Sequence, residues 1–111
     1  MKTLLLGAAF VAALFHLKLD RSLPAKDTTV AAPTELSLWY SQTPNLPVTR
    51  VTLTGPNGPV AVGKPTLASA PKSPVIVPIT GPMPAGAYTV NWITASSDGH
   101  PIKGSYGFTV K

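Results

Sequence analysis

Ala87-Tyr88-Thr89-Val90-Asn91-Trp92-Ile93-Thr94-Ala95-Ser96 is the longest strand-like run in the chain, and it alternates. Tyr88, Val90, Trp92 and Thr94 fall on one face, the period-2 pattern of a half-buried strand. Downstream, Ile102 to Val110 alternates in the same way, with Tyr106, Phe108 and Val110 sharing a face. Between the two runs stands Asp98-Gly99, a tight-turn pair. Working upstream, Gly81-Pro82-Met83-Pro84-Ala85-Gly86 reads as a loop, and Val75-Ile76-Val77 as a short strand. Pro74 and Pro78 bracket that strand, which suits a sheet edge because proline cannot donate to a ladder. Pro59 to Val62 is another short strand, ended by Gly63-Lys64-Pro65. Before it, Gly55-Pro56-Asn57-Gly58 carries the Asn-Gly turn signal. Val48 to Thr54 turns Val51 and Leu53 inward, and Glu35 to Tyr40 turns Leu36, Leu38 and Tyr40 inward. With an early strand near Lys18 to Ser22, about seven short strands at regular spacing predict an all-β, immunoglobulin-like sandwich or barrel.

The 111 residues suffice for one domain, and thirteen prolines and nine glycines leave no helical periodicity beyond the N-terminus. Met1-Lys2-Thr3 is a basic start, and Leu4 to Phe15 is apolar throughout. That stretch is shorter than the roughly 20 residues a membrane span needs. It fits the hydrophobic core of a secretory signal peptide, so residues 1–15 are expected to be an export leader and 16–111 the working domain. Signal peptidase prefers small residues before its cut. Val11-Ala12-Ala13 supplies them, and cutting there leaves Leu14-Phe15-His16; cutting after Phe15 makes His16 the first residue. The formal charge of +5 comes from bases scattered along the chain, without the clustering of a nucleic-acid footprint. It serves solubility, with weak attraction to anionic surfaces. A monomer is expected.

Few residues are available for chemistry. Four acids, no cysteine, no Gly-x-Ser-x-Gly elbow and no glycine-rich phosphate loop argue against an enzyme. The two histidines, His16 and His100, draw attention instead. A first-residue histidine offers a metal both its α-amine and its imidazole, and a terminal amine deprotonates near neutral pH (reference pKa about 7.7–8.0). Asp98-Gly99-His100 admits two readings. One is a tight turn with an exposed histidine beside Pro101. The other is an extended segment that sends Asp98 and His100 to the same face, where a carboxylate and an imidazole share one ion. Nitrogen and oxygen donors in a tetragonal arrangement favour Cu(II), with tetrahedral Zn(II) second. Cu(I) prefers sulfur, and Met83 is the one methionine outside the leader, better suited to packing.

These residues resemble the CopC copper-resistance proteins and the related YobA-type domains. His16-Leu17-Lys18-Leu19-Asp20-Arg21-Ser22-Leu23-Pro24 is similar to the family's opening, His-x-x-Leu-x-x-Ser-x-Pro. Gly86, Tyr88 and Trp92, then Asp98-Gly99-His100-Pro101, then Tyr106 to Val110 resemble its ending. The resemblance implies a small periplasmic Greek-key domain that binds Cu(II) for copper homeostasis and resistance. In it His16 supplies amine and imidazole, His100 a second imidazole and Asp98 a carboxylate oxygen. It also implies a membrane partner, a CopD-like copper transporter of the inner membrane. Three departures stand out. Phe15, before the expected first residue, is an unusual residue for a signal-peptidase cut. Ser41-Gln42 stands where many members have Ser-Glu, and Gln42 is neutral, so what it can offer copper is a hydrogen bond and not a charge. The methionine-rich segment of two-site members is absent, in keeping with a Cu(II)-only protein. The rival readings are an immunoglobulin-like interaction module with incidental histidines and, further off, a histidine-brace copper oxidoreductase.

Overall fold

The computed structural model describes residues 17–68 and 74–111; the proposed leader and His16 lie outside the described residues. The alternating runs form strands, and these build two facing sheets. One sheet holds β1 (Leu19–Leu23), β3 (Glu35–Tyr40), β7 (Val75–Pro78) and β6 (Thr66–Leu67), in the order β1-β3-β7-β6. The other holds β2 (Thr29–Val30), β9 (Pro101–Val110), β8 (Gly86–Ala95), β4 (Arg50–Gly55) and β5 (Gly58–Val60), in the order β2-β9-β8-β4-β5. All pairings are antiparallel except β2 with β9. Non-consecutive neighbours such as β1-β3-β7 are the crossovers of a Greek key. The expected all-β sandwich is therefore observed.

The inward residues are those the alternation selects. Tyr88, Val90, Trp92 and Thr94 of β8 are buried, as are Tyr106, Phe108 and Val110 of β9 and Leu36, Leu38 and Tyr40 of β3. Val51 and Leu53 complete the layer from β4. Tyr88 stacks on Phe108 with ring centroids 5.5 Å apart, and Tyr40 meets Trp92 edge-on at 5.2 Å. Two glycines make room for this aromatic layer. A Cβ on Gly104 would lie 2.6 Å from Trp92 Cζ2, and one on Gly55 2.5 Å from Tyr88 Cε2. Each large ring thus lies over a bare stretch of the neighbouring strand.

The structure differs from the sequence expectation in three respects. Nine strands appear among the described residues instead of about seven, because β2 and β6 are two-residue ladders too short for any periodicity to show. The strand expected from Val48 begins at Arg50, since Leu46–Val48 winds into a 3-10 turn that Pro47 favours and Thr49 N–H closes on Leu46 O. The segment Val75–Pro78 is not an edge. It lies between β3 and β6, and its flanking prolines stand where the ladder to the two-residue β6 has run out.

Candidate metal centre

β8 and β9 form the longest hairpin of the molecule, paired from Gly86–Val110 up to Ala95–Pro101. The five residues between them, 96–100, close its end. Ser96 O accepts the Gly99 N–H at 3.0 Å, and Gly99 takes φ +83°, a conformation glycine adopts without steric cost. Asp98 sits inside the turn and is not extended. The two readings of Asp98-Gly99-His100 therefore merge: the triplet is a tight turn, and the turn itself brings the carboxylate and the imidazole together. Asp98 Oδ2 lies 3.3 Å from His100 Nδ1. Asp98 Oδ1 accepts the Ser96 hydroxyl at 2.5 Å and the His100 backbone N–H at 3.1 Å. Those bonds pull the Asp98 carboxyl down from the usual 3.8 to about 2, with the Ser96 hydroxyl first, then the His100 amide and the His100 ring. The carboxylate is thus ionised, and its oxygens act only as acceptors or ligands, throughout the neutral range.

The pair is open to solvent. Side-chain exposure is 78% for His100 and 51% for Asp98, and with Ser96, Pro101 and Ile102 they line a shallow cavity of about 320 Å³. Oδ2 and Nδ1 fit a metal. Donors each about 2 Å from a common ion stand about 3 Å from each other, whereas a charge-assisted N–H···O bond prefers about 2.7–2.9 Å. A separation of 3.3 Å is that of a long hydrogen bond in the metal-free protein and is also compatible with two neighbouring ligands of one ion. Among the described residues no group of three histidine, cysteine or acidic side chains gathers, so Asp98 and His100 are the described part of the site.

His16 itself lies outside the described residues, but the chain that leaves it is held in place. Leu17 is buried in the core at 2% exposure. Lys18 N–H donates to Ser41 Oγ at 2.9 Å, and Ser41 N–H donates back to Lys18 O at 2.8 Å, which ties this segment to the C-terminal end of β3. The segment after β3 then reaches the top of β8, where Asn45 N–H donates to Ala95 O at 2.8 Å and the Thr49 and Thr94 hydroxyls meet at 2.7 Å. Leu17 and the 96–100 turn consequently share one end of the sandwich. Gln42, half-buried, follows Ser41 at that same end. Met83 lies elsewhere, beside the β4–β5 turn in a groove with Pro56, Pro59 and Tyr88.

Sequence reading overlooked Ser96. A serine two residues before an aspartate in a turn is a signal for a local hydroxyl–carboxylate bond, but its position at the end of β8 made it read as the last residue of a strand.

Comparison with known proteins agrees with the fold. The CopC domain model matches residues 19–111. Copper resistance protein C of Escherichia coli is 44% identical over 119 residues, covering 97% of this chain and 90% of that protein. Protein YobA of Escherichia coli K12 is 33% identical over 98 residues, covering 86% of this chain and 79% of its own. Among solved structures, PcoC, a methionine-rich copper resistance protein from Escherichia coli, superposes with a TM-score of 0.77 at 36% identity. The match covers 86% of this chain and 99% of PcoC. CopC from Methylosinus trichosporium OB3b gives 0.74 at 26% identity, over 86% and 94% of the two chains. On sequence, topology and the matched span alike, the chain is a member of the CopC family.

Proposed function

We propose that the protein is an exported copper-resistance protein that binds Cu(II) at the end of its β-sandwich and holds it or passes it to a membrane partner. Residues 1–15 act as the signal peptide, and 16–111 form the periplasmic, monomeric domain. Copper is cargo, and no substrate bond is made or broken. The His16 amine and imidazole, the His100 imidazole and the Asp98 carboxylate supply the nitrogen and oxygen set that Cu(II) prefers. The partner is a membrane copper transporter of the CopD type. Names of relatives support the copper assignment. The observation that carries it is the Oδ2–Nδ1 pair, 3.3 Å apart and open to solvent, at the end of the sandwich where Leu17 enters the core.

Copper titration tests the reading. His100→Ala should weaken Cu(II) binding by at least a hundredfold, because one nitrogen ligand is lost and nothing replaces it. Equal affinity in the two proteins would remove the assignment. Intact mass of the exported chain should correspond to a start at His16.

A further inference from the structure

Ser96 is the residue of the turn that is both buried, at 4% exposure, and bonded to the Asp98 side chain. Its carbonyl closes the turn on Gly99, and its hydroxyl binds Asp98 Oδ1 at 2.5 Å. The same Oδ1 takes the His100 N–H at 3.1 Å. Two donors therefore converge on one carboxylate oxygen, while among the described residues Oδ2 faces the His100 ring.

An exposed aspartate rotates freely about its terminal torsion, which is broad and roughly two-fold. Either oxygen could then turn toward an ion, and ordering the group on binding would cost entropy. Here that freedom has been removed before any metal arrives. We propose that Ser96 is a positioning residue for copper: by holding Oδ1 it fixes the Asp98 carboxylate so that Oδ2 alone stands beside His100 Nδ1 as the copper-facing oxygen. The inference rests on the reading of Asp98 and His100 as ligands. Hydrogen bonds to a ligating carboxylate are worth about 10- to 100-fold in metal affinity, and the hydroxyl of Ser96 is the side-chain donor that makes such a bond here.

Copper titration, Cu(II) electron paramagnetic resonance and amide NMR of the metal-free protein test it together, on the wild type, Ser96→Ala, Ser96→Thr and His100→Ala. Ser96→Ala should bind Cu(II) ten- to a hundredfold more weakly, with altered copper hyperfine coupling. Without metal, its amide shifts should change only around residues 96–100, and the His100 amide should exchange faster with solvent. Ser96→Thr, which keeps the hydroxyl, should recover most of the affinity. If Ser96→Ala matches the wild type in affinity and spectrum while His100→Ala loses copper, the positioning role is wrong and the ligand assignment stands. If His100→Ala keeps copper, the site reading underneath has failed. A loss in Ser96→Ala accompanied by shift changes throughout the domain, or not recovered by threonine, would mark Ser96 as merely structural.

Discussion

Asp98 illustrates how an exposed carboxylate gains a defined state from its own turn. The Ser96 hydroxyl, the His100 amide and the His100 ring lower its pKa to about 2, below the 3.8 of a free aspartate. A folded-state value below the unfolded one contributes stability above about pH 4, and that contribution is lost as pH falls through about 2. Asp98 therefore takes up no proton between pH 8 and pH 5, so in that window the carboxylate of the proposed site adds nothing to the pH dependence of copper binding. Competition titrations should show affinity falling with acidification along parallel curves for the wild type and Asp98→Asn. A curve that converges for the two proteins above pH 5 would mean the carboxylate titrates there after all. At this scale the sequence singles out Asp98 and His100 as candidate ligands, since residue type and spacing suggest them. It did not reveal Ser96, whose role depends on a turn geometry that brings its hydroxyl back onto a residue two positions ahead.

Strands and turns explain why that pair is where it is. β8 and β9 were legible because ten-residue alternation with aromatic residues leaves one face to bury. β2 and β6 were not, because a two-residue ladder is chosen by its neighbours and carries no period of its own. The same holds for β7, whose prolines suggested an edge until β6 paired beside it. Two glycines in the hairpin make different predictions. A Cβ on Gly99 meets nothing within 4 Å, so Gly99→Ala carries only the strain of φ +83°, about 1–2 kcal/mol, and should disturb copper binding by shifting Asp98 against His100. A Cβ on Gly104 would press into the Trp92 ring at 2.6 Å, so Gly104→Ala should cost about 1–3 kcal/mol by overpacking. Thermal melts should show both destabilised, with copper affinity reduced clearly in Gly99→Ala alone. Unchanged melting of Gly104→Ala would show that Trp92 repacks without penalty.

As a molecule, the domain is a cysteine-free sandwich whose stability comes from an aromatic and aliphatic layer between two sheets. Tyr40 and Tyr106 bring their hydroxyls into that layer, and burial pushes both above the ordinary tyrosine value of 10.0. Groups raised on folding contribute stability that is fully present below the unfolded value and lost as pH rises beyond it. The melting temperature should hold up to about pH 10 and fall above it, and Tyr40→Phe should soften that fall. Copper acts in the other direction: at a free concentration of 100 times its Kd, a ligand bound only by the folded state adds about 2.7 kcal/mol. The architecture as a whole was legible because turn chemistry and alternation agree along nearly the entire chain. That Leu17 and the 96–100 turn share one end of the sandwich was not, since it depends on Ser41 tying Lys18 to β3 and on Asn45 reaching Ala95. The account stands or falls on the amine of residue 16, and a Cu(II) titration of the chain beginning at His16, with that amine free and with it acetylated, tests it most directly. The account predicts that acetylation weakens binding at least a hundredfold and removes one nitrogen from the copper spectrum; equal affinity and an unchanged spectrum would contradict it.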